Sequence, residues 1–252
     1  MEREEFEEFG NQLNKYCEKY NIPTEYLFEI LEDQKVIPMI RGKGLEYNAY
    51  LKLREILPSN IWDVQKLNLN AQTGTTDEDI SITHRRSGII LKIECKSGVR
   101  GSIRAGIRTR KLRVPHFKVK CHRSRSSIKL ASTSNDRYAV DEFDLIITNT
   151  SNSIYEGGTV GENLEITYNE PARAVLNTHY GVTDDLSLIR ACDNDWRFCI
   201  PSDIAEEGFI PRTPYVRLNN DENWQDLSNL NYRLQEIVVE KNRQRSGSSR
   251  RN

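Results

Sequence analysis

No apolar run in this 252-residue chain approaches the roughly 20 residues that a membrane-spanning helix needs, so no transmembrane segment is expected. The opening stretch MEREEFEEF is acidic where a secretory signal has a basic start and an apolar middle, and a cytoplasmic protein is the expectation. Cysteine is sparse: Cys17, Cys95, Cys121, Cys192 and Cys199 form no Cys-x-x-Cys pair, which points to reduced thiols and away from structural zinc. Histidine is scarcer still. His84 and His179 have no partner at ligand spacing, and His116 and His122 bracket a basic run, so a histidine metal centre is not expected. The cluster Gly157-Gly158…Gly161 lacks the strand and the lysine of a phosphate-binding loop.

Charge of one sign is missing from a long interval. The net charge is only −1, yet no acidic residue lies between Glu94 and Asp136. That interval holds Lys96, Arg100, Arg104, Arg108, Arg110, Lys111, Arg113, Lys118, Lys120, Arg123, Arg125 and Lys129. Solvated charged faces normally mix signs, so an unmixed basic segment points to a polyanionic partner. Arg104, Arg108 and Lys111 fall at helical spacing on one side, and phosphate contacts from such side chains supply salt-dependent affinity for nucleic acid. Stacking aromatics are few here, with Phe117 and Tyr138, which favours duplex over single strands.

What is present reads as an α/β (α+β) chain: one domain over 1–240 with N-terminal helices in 2–34, a core at about 40–150, a C-terminal elaboration over 151–240 and a disordered basic tail over 241–252. Phe6, Phe9, Leu13, Tyr16 and Tyr20 recur at helical spacing. Leu45, Ala49 and Leu53 line one face of a helix that stops before Pro58. Residues 61–69 suit a strand, FDLIITN at 143–149 a buried strand, and LEITY and RAVLN short strands. DEDISIT and IILKIECK, joined by HRRSG, read as a hairpin. Alternation puts Ile80, Ile82, Ile89, Leu91, Ile93 and Cys95 on one face, and Asp79, Glu94 and Lys96 on the other.

Two carboxylates converging on one point bind a hard divalent cation through oxygen, and a nearby lysine offsets charge on a reacting phosphate. Taken alone, Glu94 and Lys96 are also what the wet face of an edge strand looks like. Asp79 on the matching face and the basic segment that follows favour the chemical reading. In these residues, Asp79 in TTDEDISI and Glu94 and Lys96 in IILKIECK, the chain resembles the PD-(D/E)XK nuclease superfamily over roughly residues 40–150. It departs from the family pattern at Glu78, where proline is the rule, and Asp77 is a rival to Asp79 as ligand.

The resemblance implies a restriction-endonuclease-like central mixed sheet flanked by helices. It also implies Mg²⁺ (or Mn²⁺) held by Asp79, Glu94 and the Cys95 carbonyl, and a catalytic Lys96. The family often adds a glutamate from a preceding helix; Glu46 stands in that place, and an ordinary exposed helix glutamate is an equal account of it. Within the family the chain is most similar to type II restriction endonucleases, which implies a homodimer acting on double-stranded DNA, with a companion DNA methyltransferase possible. The alternatives are a structure-specific enzyme such as a junction resolvase or repair nuclease, and a DNA-binding module without catalysis.

Overall fold

The computed structural model describes residues 3–67, 78–105, 114–122, 136–160, 163–168 and 170–248. Chain contacts divide it into two compact units, residues 1–43 with 158–165 and residues 44–157 with 166–252.

The first unit contains helices α1 (Arg3–Tyr20) and α2 (Leu27–Leu31) and the start of α3 (Ile37–Ile56). Pro38 sits inside α3 where the sequence placed it before the helix. A first-turn N–H has no intrahelical acceptor, so its loss at proline costs nothing there. Cys17 and Leu27 are buried, whereas Phe6, Phe9, Tyr16 and Tyr20 remain exposed along α1.

The second unit is built on a six-stranded mixed sheet of β1 (Trp62–Lys66), β2 (Ile80–His84), β3 (Ile89–Cys95), β5 (Leu145–Asn149), β8 (Trp196–Cys199) and β10 (Gln225–Asp226), in the order β1-β2-β3-β5-β8-β10. The strands β4 (His116–Lys118), β6 (Tyr155–Val160), β7 (Asn163–Tyr168) and β9 (Tyr215–Arg217) lie outside this sheet. The β2–β3 hairpin forms as expected, with Ile80 opposite Ile93 and Ile82 opposite Leu91. Its turn closes where Gly88 adopts a positive φ of 65°, a conformation open to glycine without a Cβ clash, and donates its N–H to the His84 carbonyl at 2.9 Å. β3 and β5 are parallel, and the other pairings are antiparallel.

One face of the sheet packs Ile80, Ile82, Leu91 and Ile93 against Leu45, Ala49 and Leu53 of α3 and against Leu230, Leu234, Ile237 and Val238 of the C-terminal helix. The other face packs Ile146 and Cys199 in a second core with Phe117, Val119, Leu176 and Leu188. β5 is therefore buried on both faces, which is why its sequence is a continuous apolar run and does not alternate. Leu53 is fully buried in the first core, so Leu53→Ala should cost ~2–5 kcal/mol, readable as a lower urea midpoint.

Three further expectations are corrected. RAVLN is not a strand: it lies in α4 (Glu170–Tyr180), where Ala172 and Leu176 bury at a spacing of one helical turn. α5 (Asp185–Asn194) and the short α6 (Pro201–Ile204) follow. The region after residue 150 is not an elaboration on a finished core, because β8 and β10 complete the sheet and the C-terminal helix fills one side of it. Nor does disorder begin at 241. That helix, α7 (Leu230–Ser248), runs on to Ser248, and Lys241 pairs with Asp144 at 2.6 Å beside the start of β5. Among the described residues no helix is long and apolar enough to cross a membrane.

Candidate active site

Asp79 immediately precedes β2, and Glu94 is the penultimate residue of β3. The register that sets Ile80 opposite Ile93 brings Asp79 beside Glu94, and Asp79 Oδ2 accepts the Cys95 N–H at 2.8 Å. Neither carboxylate is on a wet face: Asp79 is 9% exposed and Glu94 is 4% exposed. Burying two carboxylates side by side is costly unless positive charge meets them.

Some of that charge comes from Lys96, the first residue after β3, whose ammonium pairs with Glu94 Oε1. Lys96 Nζ also donates to the Tyr138 hydroxyl at 3.1 Å and lies 4.6 Å from the centre of that ring. Its backbone is fixed by an N–H bond to the Ile147 carbonyl at 2.9 Å, so the parallel neighbour β5 sets where the ammonium stands. Burial works against the charged form of Lys96, but Glu94 and Tyr138 outweigh it and hold the ammonium above the usual lysine range.

Glu46, from α3, joins the same neighbourhood. Its Oε2 pairs with Lys66 Nζ of β1 at 2.7 Å, and both side chains are largely buried, so it is not a plain exposed helix glutamate. Lys66 also donates to the Asp79 carbonyl at 3.1 Å, tying β1, α3 and the start of β2 together. Glu78, next to Asp79, pairs with Lys92 at 2.5 Å.

The electrostatics agree with a crowded carboxylate cluster. Burial first, then the charges of Glu94 and Glu46, push the Asp79 carboxyl up to about 8, against the opposing pull of the Cys95 N–H and Lys96. Burial and the charges of Asp79, Glu94 and Glu46 push the Cys95 thiol well up.

Among the described residues, no trio of His, Cys, Asp or Glu side chains stands at metal-holding spacing. The donors that do gather, Asp79 and Glu94 with Glu46 nearby, are all carboxylate oxygens. Their mutual repulsion is of the kind a hard divalent cation relieves, so the residues present fit Mg²⁺ or Mn²⁺.

Of the expected DNA-binding residues, Arg100, Arg104, Lys118 and Lys120 are described. Arg104 is not helical, because it bridges antiparallel to His116, and the expected helix does not include it. Arg108, Arg110, Lys111, Arg113, Arg123 and Arg125 lie outside the described residues, as does Asp77. Sequence reasoning missed Lys66 and Tyr138. Neither carries a local signal, since Lys66 reaches the site through the β1–β2 pairing and Tyr138 approaches Lys96 from 42 residues away.

No protein-family model, curated protein or solved structure matches the chain.

Proposed function

We propose that this chain is a Mg²⁺-dependent, sequence-specific endonuclease of double-stranded DNA, in the manner of a type II restriction enzyme. The observation that carries the reading is the buried Asp79–Glu94 pair with the Lys96 ammonium at the end of the same strand. Asp79, Glu94 and the Cys95 carbonyl would hold the cation, with Glu46 in reserve behind Lys66. When bound, the metal supplies Lewis-acid charge on the phosphate and a water of lowered pKa. Lys96 has three N–H donors, engaged in part by Glu94 and Tyr138, and would offset negative charge that grows on the phosphoryl oxygens. Tyr138 orients that ammonium, so Tyr138→Phe should slow cleavage by about tenfold, the worth of one hydrogen bond, in a single-turnover assay.

Incubating the protein with a long duplex in Mg²⁺ and in EDTA, then sizing the products, tests the reading. Discrete fragments with Mg²⁺ alone are expected. Cleavage confined to branched or damaged duplexes would favour the structure-specific alternative.

A second reading is that the chain binds DNA without cutting it. The Lys66–Glu46 and Lys96–Glu94 pairs favour it, because they already neutralise part of the cluster. Duplex binding with no cleavage of any substrate in Mg²⁺ or Mn²⁺ would establish it over the first. A homodimer belongs to the leading reading, and sedimentation at twice the monomer mass is expected.

A further inference from the structure

A cavity of about 200 Å³ lies immediately downstream of Lys96, lined by Arg100, Ser102, Arg104, His116, Lys118 and Tyr215 among others, with no carboxylate among the described residues of its wall. Its frame is regular. β4 (His116–Lys118) pairs with β9 (Tyr215–Arg217), setting Lys118 opposite Tyr215. On its other side, the Val99 N–H donates to the Lys118 carbonyl at 2.8 Å, and Arg104 and His116 exchange backbone hydrogen bonds at 2.9 and 3.1 Å. The turn between them places Gly101 at a φ of 60°.

Two of the cations in this wall, Arg104 and Lys118, are held in place. Arg104 Nη1 donates to the Gly101 and Ile103 carbonyls at 2.6 and 2.7 Å, which pins the guanidinium against the turn. Lys118 Nζ stands 5.4 Å from the centre of the Tyr215 ring, whose edge meets His116 at 5.2 Å. His116 is 0% exposed. Its Nδ1 lies 2.8 Å from the Val114 carbonyl, which can only accept, so Nδ1 carries a proton. Nε2 is buried with no hydrogen-bond partner among the described residues, an unusual position for a polar atom and one that leaves room for a ligand. Like charges that converge on one cavity repel, and an oxyanion removes that cost.

We propose that this cavity is a phosphate-binding subsite, taking a backbone phosphate of duplex DNA next to the scissile one; this rests on the nuclease reading of the Asp79–Glu94–Lys96 site. The chain itself supports the source. Arg100 follows Lys96 by four residues, so their Cα atoms are no more than ~14 Å apart, within a few nucleotides of one strand. The Lys120 N–H bond to the Ser97 carbonyl at 3.0 Å keeps the two segments side by side. The subsite grips the backbone and reads no base, so its contribution is the same for every sequence.

The test measures duplex affinity without metal across a salt series, using a labelled DNA and fluorescence anisotropy, for the parent protein and an Arg100→Gln/Lys118→Gln double variant whose folding is checked by its melting curve. In parallel, the His116 ring resonances of the parent are followed by NMR during titration with the duplex and with inorganic phosphate. The variant should bind every duplex more weakly by the same factor and lose about 0.9 from the slope of log K against log salt, with the His116 resonances moving on DNA addition. An unchanged slope in a variant that folds, with the parent still binding, overturns the subsite and leaves the nuclease reading standing. A His116 response to inorganic phosphate alone, with no change of slope, makes it a small-anion site and overturns the DNA assignment. No duplex binding by the parent sinks both.

Discussion

Lys96→Ala should lower the rate of Mg²⁺-dependent cleavage by at least ~10²–10³-fold, the usual loss when one preorganised donor is removed from a developing oxyanion. Duplex affinity should fall by no more than about tenfold, as for a single phosphate-directed charge. The asymmetry follows from the setting of the ammonium. It is held by Glu94 and Tyr138 at the end of β3, where it faces the cluster and not the general run of the backbone. The alanine variant also leaves Glu94 buried without its cation, at a cost of about 3–5 kcal/mol, so its melting curve must accompany the rate. Lys96→Gln keeps a hydrogen-bond donor toward Glu94 and is the companion variant, expected to be folded and equally inactive. Cleavage at the parent rate in either variant would remove Lys96 from the chemistry.

Asp79→Asn should abolish cleavage and yet raise the stability of the metal-free protein. The asparagine keeps an acceptor oxygen for the Cys95 N–H and removes a charge that burial and two neighbouring carboxylates disfavour. The sign follows from proton linkage. The Asp79 carboxyl is raised to about 8 in the folded chain, so between its ordinary range and about 8 the folded state binds more protons than the unfolded state. The favourable contribution of the protonated carboxyl is complete in acid and is lost as the pH rises through about 8. The rise from the ordinary aspartate range to about 8 bounds the gain above that pH at about 6 kcal/mol, and the variant should gain at least ~1–2 kcal/mol of it, or about 2–8 °C of melting temperature for a chain of this size. The gain should shrink on acidification and vanish near pH 4, the ordinary aspartate range. Adding Mg²⁺ should stabilise the parent and not the variant. A variant that melts below the parent at pH 8 would contradict the electrostatic account of the cluster, even if cleavage were lost. Activity retained in Asp79→Asn and lost in Asp77→Asn would move the ligand to Asp77.

The metal site proposed for Asp79 and Glu94 also explains the placement of the flanking lysines. Lys66 and Lys96 each meet one carboxylate, Glu46 and Glu94, while the side chain of Asp79 accepts a backbone N–H. The carboxyl of Asp79 is pushed up, and its replacement separates function from stability most cleanly.

The sequence by itself determined the β2–β3 hairpin and what it carries. Period-two alternation is a local property, and once Ile80, Ile82, Leu91 and Ile93 share a core, Asp79 and Glu94 must fall together on the other side. The α3 face of Leu45, Ala49 and Leu53 and the doubly buried β5 were legible for the same reason, since the spacing of apolar residues reports how many faces are covered. The tertiary structure alone decided the rest. β8 is four residues long and earns its place in the sheet only by pairing with β5, and RAVLN becomes helical because Ala172 and Leu176 find a core one turn apart. Whether Glu94 and Lys96 lay on a wet edge or in a buried cluster could not be read from their spacing, because burial depends on Tyr138, Lys66 and the strands paired beside them. These partners lie far off in the chain, and only long-range packing brings them within reach of a carboxylate.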